Sequence, residues 1–421
     1  MIRFPQNSIP FAILTASAIV AFLLSASTAQ EVSLSPQVAT RPSSSIERRT
    51  TTLPTTRRVN TPASQPLTRD AADRVAAELR LAYGRPVAEW PAPEVDPSVK
   101  PIELGLLPEP QHPTNNPFSK EKADLGRELF FEPKLSGSGQ FACASCHNPE
   151  LGWSDGTSLS FGHDRQNAKR NAPTIQNVAF KTHYFWDGRA GTLEDQVLIP
   201  LTADNEMHGD PVTAVDRLGK TKTYPRLFKA AFGDEAISIE RIQQAIACFE
   251  RQQVGGRSDF DRFLRGRTTA LSDEAVRGLH LFRTKAGCLN CHSGPNFTDN
   301  QFHNVGLSYY GRKLQDLGRY EITKKPEDVG AFLTPGLRNV ERTAPYMHNG
   351  LFDLDGVLNL YNAGMPTLRR LPKYEGDPLF PTKSPLLKPL RLNPQEIADL
   401  KAFLLSLTEP RQRVVRTEDP E

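Results

Sequence analysis

The chain has 421 residues, with 51 Lys and Arg against 48 Asp and Glu for a formal net charge of +3. That length holds two or three domains, and a near-balance of charge without a basic stripe interleaved with aromatics excludes a nucleic-acid binder. Five cysteines are too few for a disulfide-built fold, so any clustering among them carries information.

Residues 1–29 read as a secretory signal. Arg3 gives the positive start, Phe11 to Leu24 the apolar stretch, and Ser27-Thr28-Ala29 the small residues before Gln30. An uncleaved membrane anchor is the alternative, because the apolar run approaches spanning length. Residues 30–68 are rich in Ser, Thr, Pro and Arg without apolar periodicity, which predicts a disordered tether. Residues 69–83 have helical composition, with Val75, Leu79 and Leu81 as the apolar members. Residues 84–117 are proline-rich and predict an extended segment on a surface. Residues 30–116 therefore form a disordered or extended N-terminal segment, and the folded core begins near Pro117.

From there the pattern is mainly helical. Lys120 to Phe131 turns Leu125, Leu129 and Phe130 inward, and Ile239 to Gln253 carries Ile242, Ala245, Ile246 and Phe249 on one stripe. Cys248 falls in that second stripe and reads as a buried, inert thiol. Ser272 opens a helix through Phe282, with Asp273 and Glu274 in its first turn. Asn393 to Leu407 is the last, with Ile397, Leu400, Phe403 and Leu404 inward, and residues 411–421 form a tail.

The other four cysteines stand in two copies of one motif, Cys143-Ala-Ser-Cys146-His147 and Cys288-Leu-Asn-Cys291-His292. Cys-x-x-Cys-His is the attachment signature of c-type haem: the thiols bond covalently to the porphyrin and the His ligates the iron. Zinc or a redox disulfide can use Cys-x-x-Cys pairs, but neither needs a His directly after each. Two covalently bound haems c follow, and with them export, since bacteria attach this haem outside the cytoplasmic membrane. A helix with the same signature precedes each motif, Gly126-Arg-Glu-Leu-Phe130 and Gly278-Leu-His-Leu-Phe282, which reads as an internal repeat. The expectation is two similar helical haem domains, 117–265 and 266–410.

With these motifs in place, the stretch from about Pro117 to Leu407 resembles the bacterial dihaem cytochrome c peroxidase and MauG superfamily. The matching segments are Arg170-Asn-Ala-Pro-Thr174, Phe185-Trp-Asp-Gly-Arg-Ala190, Thr334-Pro-Gly-Leu-Arg-Asn339 and Thr343-Ala-Pro-Tyr-Met-His-Asn-Gly350. The resemblance implies two cytochrome c-like domains packed together, the first haem reacting with hydrogen peroxide and the second relaying electrons. It implies that Glu206 shuttles the proton needed to split the O–O bond. Gln196 would be a companion amide, and Trp186 would lie between the haems as an electron relay. His163 matches a residue that ligates the first iron at rest in the peroxidase branch. Tyr361 aligns with the second iron's far ligand in MauG-like members, with Met365 and Met347 as rival sulfur ligands. His163 and Tyr361 thus point to different branches. Asn171, Thr343 and Pro345 match ligands of a calcium ion between the domains, and Arg338 is expected to pair with a haem propionate. His183, His208, His303 and His348 read as structural histidines.

Three functions are carried forward. The first is a periplasmic dihaem peroxidase fed by a small cytochrome c or a copper protein, dimers being usual in that branch. The second is a MauG-like enzyme that uses peroxide to oxidise residues of a partner protein. The third is a dihaem electron carrier without catalysis.

Overall fold

A computed structural model describes residues 65–410 of the chain. The signal, most of the tether and the C-terminal tail lie outside the described residues. In chain order the helices are α1 (Arg69–Tyr83), α2 (Lys120–Phe130), α3 (Leu193–Thr202), α4 (Pro211–Gly219), α5 (Thr223–Phe232), α6 (Ile239–Arg251), α7 (Asp259–Leu264), α8 (Asp273–Arg283), α9 (Tyr320–Thr323), α10 (Leu354–Asn362) and α11 (Pro394–Leu405). One antiparallel pair, β1 (Phe302–Asn304) with β2 (Ala331–Leu333), matches Phe302 to Leu333 and Asn304 to Ala331. Among the described residues no helix is long and apolar enough to cross a membrane.

The helix starts follow local chemistry. The side chains of Ser119, Ser238 and Ser272 accept backbone N–H groups at the starts of α2, α6 and α8. Each thereby satisfies a donor that the first turn leaves without a partner. Asn393 and Glu396 cap one another's backbone at α11, with Pro394 in the first helical position.

Two hydrophobic cores result. The first gathers α2, α3, α5 and α6 around Leu125, Phe130, Phe228 and Ile246. The second gathers α8 and α11 around Phe260, Phe282, Phe297 and Phe403. The second core already includes Phe260 and Phe263 of α7, upstream of the expected changeover at 265/266.

The repeat seen in sequence is a repeat of packing. A Cβ on Gly126 would lie 1.9 Å from the Ala245 carbonyl oxygen and 2.9 Å from Phe249 Cβ; one on Gly278 would lie 2.0 Å from the Asp399 carbonyl oxygen and 2.8 Å from Phe403 Cβ. Only glycine lets α2 meet α6, and α8 meet α11, at these separations. In both crossings the Phe of the repeat meets the Phe of the partner helix at 5.3 Å between centroids, Phe130 with Phe249 and Phe282 with Phe403.

The segment before Pro117 is a strap on the second core. In α1 the buried face is Ala72, Ala76 and Tyr83, while Leu81 is 75% exposed. The stripe that faces α8 thus runs through the alanines, because small side chains let two helices approach, and Leu81 is left on the outside. Arg283, fully buried, holds the strap in place. Its guanidinium donates to the Tyr83 hydroxyl at 3.0 Å and the Pro91 carbonyl at 2.8 Å, and it pairs with Glu103. Trp90 and Leu104 complete this wall of the core.

Candidate haem-binding sites

The two Cys-x-x-Cys-His segments adopt one geometry. Each begins with a single 3-10 turn, Cys143–Ser145 or Cys288–Asn290. His147 Nδ1 lies 3.1 Å from the Trp153 carbonyl oxygen, and His292 Nδ1 lies 3.0 Å from the Phe297 carbonyl oxygen. The acceptor residue sits in the left-handed region in both, Trp153 at φ 62° and Phe297 at φ 57°. It is held there by aromatic packing, Phe130 against Trp153 at 5.8 Å and Phe282 against Phe297 at 5.8 Å. Because Nδ1 donates to a carbonyl, Nε2 carries the lone pair available to a metal. Burial lowers the pKa of both imidazoles and keeps them neutral, as a ligand must be. The four motif cysteines form no disulfide. These residues fit two covalently held haems, whose irons His147 and His292 would ligate.

Above the second motif lies an apolar cavity lined by Cys288, Cys291, His292 and, from α10, Tyr361 and Leu358. Burial raises the pKa of the Tyr361 hydroxyl, with the charges of Cys291 and Cys288 adding to the effect. Met347 lines the same cavity, whereas Met365, just past α10, is buried with its carbonyl accepting from Lys383.

Helices α3 and α10 occupy matching places in the repeat. Each follows a bridge that returns the chain on itself, Tyr184 to Ala190 and Tyr346 to Phe352. Thr192 and Asp353 cap the two helices. Counted from these caps, the eighth residue of α10 is Tyr361 and the eighth of α3 is Pro200. The first half thus has a side chain with no donor atom where the second has a phenol. Gln196 is half-buried in the first turns of α3.

Glu206 follows α3 in a turn, its N–H donating to the Ala203 carbonyl at 3.0 Å. The loop through Gly162 closes over it: His163 N–H donates to the Glu206 carbonyl at 2.8 Å, and a Cβ on Gly162 would lie 2.6 Å from Glu206 Cα. Burial raises the Glu206 carboxyl's pKa, with the nearby Arg189 guanidinium pulling the other way. Burial, with Asp155 and Glu206 adding negative charge, pushes the Cys146 thiol up to about 11. Glu206 therefore stands close to the first haem motif. The His163 ring stacks on His208 at 4.5 Å and 15°, beside a cleft that also includes Asp210 and Arg217. Asp164 and Arg165, which follow it, both have positive φ, at 51° and 58°, a strained conformation for residues other than glycine.

Trp186 sits at the junction of the halves. Its Nε1 donates to the Asn171 carbonyl at 2.9 Å, its carbonyl accepts from Leu333 N–H of β2 at 2.8 Å, and its ring meets His348 edge-on at 6.4 Å. By the repeat, Tyr184-Phe-Trp186 and Tyr346-Met-His348 are equivalent, so Trp186 touches its own counterpart. Arg170 braces the junction, with Asp187 at 2.5 Å and both Asp316 oxygens at 2.7 Å. Asn171, Thr343 and Pro345 share one wall of the second cavity. The Asn171 amide nitrogen donates to the Thr157 carbonyl at 2.8 Å and the Thr343 hydroxyl to the Val340 carbonyl at 3.2 Å.

Arg338 lines the same cavity, but its carboxylate partner is Asp261, at 2.8 and 3.0 Å, and its remaining bonds go to the Pro295 and Gly105 carbonyls. The cation that sequence reasoning missed is Lys181. It lines the second cavity, its charge reaches His147 of the first motif, and burial lowers its ammonium to about 8. Alignment of the two halves could have drawn attention to Pro200 and His348, but not to Lys181. Among the described residues the one cluster of His, Cys, Asp and Glu with metal-like spacing is Cys291, Asp299 and His303. His303 and Asp299 bond each other at 2.8 Å, and the Cys291 sulfur belongs to the haem motif.

A mainly helical chain with two matched haem-attachment motifs, one with a carboxyl group nearby and the other sharing a cavity with a phenol, defines a dihaem c-type oxidoreductase. Residues 120–269 match the model of the di-haem cytochrome c peroxidase family. The methylamine utilization protein MauG of Methylorubrum extorquens is 40% identical over 302 residues, 70% of this chain and 80% of that protein. The cytochrome-c peroxidase IdrP1 of Pseudomonas sp. is 37% identical over 341 residues, 73% and 86% of the two chains. Among solved structures, a MauG-like protein associated with microbial copper homeostasis superposes with a TM-score of 0.66 at 35% identity, over 72% of this chain and 94% of that one. The chain belongs to the di-haem cytochrome c peroxidase and MauG family.

Proposed function

We propose that the protein reduces hydrogen peroxide at the haem carried by His147, with electrons delivered from a small cytochrome c or copper protein through the haem carried by His292 and Trp186. The haems supply the redox-active iron. Glu206 supplies the proton chemistry: burial favours its protonated form, and a carboxyl group that both gives and takes a proton can move one between two peroxide oxygens. Gln196 on α3 orients the substrate by hydrogen bonding, and Pro200 leaves the facing side of the site without a competing ligand. Asn171, Thr343 and Pro345 offer oxygen ligands to a calcium ion at the junction. The reading places the enzyme in the periplasm once residues 1–29 are removed.

The observation that carries this reading is the half-buried Glu206 beside the first motif, in a turn clamped by Gly162. In the haem-loaded protein, Glu206→Gln is expected to lower peroxide turnover by about 10²-fold or more while both haems remain attached. Normal turnover in that variant would overturn the assignment.

Tyr361 favours a second reading, a MauG-like enzyme that oxidises a partner protein, because an anionic phenol ligand stabilises oxidised iron. Electron paramagnetic resonance of wild type and Tyr361→Phe separates the two. Signals unaltered by the change would remove Tyr361 as a ligand and this reading with it.

A further inference from the structure

Two surface loops rise from the wall of the second cavity. One follows Val305, which lines the cavity, and runs to Asp316. The other leaves the end of α10 at Pro366 and returns at Ser384, which lines the cavity again. They are locked at the base: Gly306 has φ +81°, and a Cβ there would lie 2.0 Å from the Pro366 carbonyl oxygen. Lys383 Nζ donates to the Gly364 carbonyl at 2.6 Å. At the tip they share an aromatic platform, Tyr310 against Tyr374 at 5.5 Å and against Phe380 at 5.8 Å.

This platform carries a concentration of positive charge that the near-neutral chain does not prefigure. Arg312, Lys313, Arg369, Arg370 and Lys373 are all exposed, and none is ion-paired with another described residue. Arg370 lies over the Phe380 ring at 4.3 Å and Lys373 over the Tyr374 ring at 4.6 Å, so the rings fix these cations in place. Of the acidic residues on the two loops, Asp316 is neutralised by Arg170, while Asp377, which accepts from the Tyr310 hydroxyl at 2.7 Å, offsets part of the charge beside Arg370. Glu375 is exposed, so five cations face two carboxylates on the platform. Each loop also presents one leucine, Leu314 at 51% and Leu371 at 42% exposure. Apolar points within a charged surround are the composition of a protein-binding face.

We infer that these loops form the docking face for a redox protein with an acidic contact surface, placed so that its electrons enter at the second haem. The inference rests on the proposed role of that haem as the point of electron entry. Position argues for a redox protein over an anionic lipid surface or a nucleic acid: both loops are rooted in the cavity wall, where electron transfer needs a close and oriented approach. Opposite charge then speeds the encounter and fixes its orientation.

The test uses the haem-loaded enzyme and the variant Lys313→Glu/Arg369→Glu/Lys373→Glu, whose three sites are exposed. Peroxide turnover is measured with an acidic c-type cytochrome, a basic cytochrome c and a small organic reductant that needs no docking. Binding of the acidic cytochrome is measured separately by calorimetry. With the acidic cytochrome, kcat/KM is expected to fall by about 10-fold or more and Kd to weaken likewise. Both wild-type values should weaken as salt rises through about 0.15 M. The rate with the small reductant should not move. An unchanged Kd for the acidic cytochrome overturns the docking face, as does an equal loss with the basic one. Loss of binding to phosphatidylglycerol vesicles with cytochrome Kd unchanged would make the loops a membrane contact instead. If no donor supports turnover but the charge-dependent Kd is found, the peroxidase reading fails and the docking face stands.

Discussion

Replacing Gly278 by Ala tests whether the α8–α11 crossing holds the second half together. The added Cβ would lie 2.0 Å from the Asp399 carbonyl oxygen, which is backbone and cannot swing aside. Ordinary contact is about 3.5 Å, so the helices must part by about 1 Å or more. Overpacking of this kind costs about 1–3 kcal/mol. Alanine returns about 1 kcal/mol through its better helix propensity. Parting also loosens the cluster of Phe260, Phe282, Phe297 and Phe403, now 5.3 to 6.2 Å apart, and a gap of about 0.5–1 Å forfeits a quarter to a half of each dispersion contact. The net expectation is a loss of about 2 kcal/mol, read as a fall of about 4 °C in Tm of the haem-loaded protein. Phe297 supplies the carbonyl that orients His292, so the second haem's absorption should alter before the first's. Gly219→Ala at the end of α4, with nothing within 4 Å of its added Cβ, is the control and should not melt lower. A Gly278→Ala protein as stable as wild type would refute the claim that this crossing is set by the missing side chain.

Asp399→Ala strands the buried Arg277, which now holds both Asp399 oxygens at 2.8 Å. A loss of about 3–5 kcal/mol is expected in denaturant unfolding, and Arg277→Met/Asp399→Leu should recover much of it. Arg170→Met takes the shared cation from Asp316 and from Asp187, which keeps Arg189 at 3.1 Å, and should cost less than Asp399→Ala. Arg170→Lys should not restore it, because an ammonium cannot reproduce the forked contact. Burial pushes the Glu250 carboxyl up to about 8, against about 4.3 in an unfolded chain. The folded protein therefore keeps a proton that the unfolded chain gives up, and stability falls as pH rises through that window and levels off above it. Unfolding curves of Glu250→Gln between pH 5 and 9 should be flatter than those of wild type; identical slopes would show that Glu250 is not the group responsible.

The parts of this fold legible in sequence are those governed by local rules. The apolar stripes of α2 and α6 and the Ser272 start of α8 appear within one or two residues of their expected ends. The Gly-x-x-Leu-Phe repeat marked the crossing helices before their packing was known. Helices α4, α5 and α7 had no such signal strong enough to place them, and of the apolar residues named for α1, Leu79 packs on the second core while Leu81 lies outside it. The buried stripe of α1 is built on alanines, whose value lies in the approach they permit rather than in hydrophobicity. The haem motifs were plain because covalent attachment and ligation demand fixed residues at fixed spacing. Lys181, Arg189 and His348 were not, because their surroundings come from segments far away in the chain. Nor does the sequence show that Asp261, distant in the chain, accepts from Arg338 Nη1 at 2.8 and 3.0 Å.

The equivalence of Pro200 and Tyr361 bears on how such a molecule can diversify. Helix crossing, left-handed aromatic residue and carbonyl tether are common to both halves, so a change in any of them has a twin elsewhere in the chain with the same duty. The eighth residue of α3 or α10 has no such twin. Descendants of one ancestral module could therefore acquire separate trades by altering a single side chain on one copy, leaving the inherited grip on each cofactor untouched.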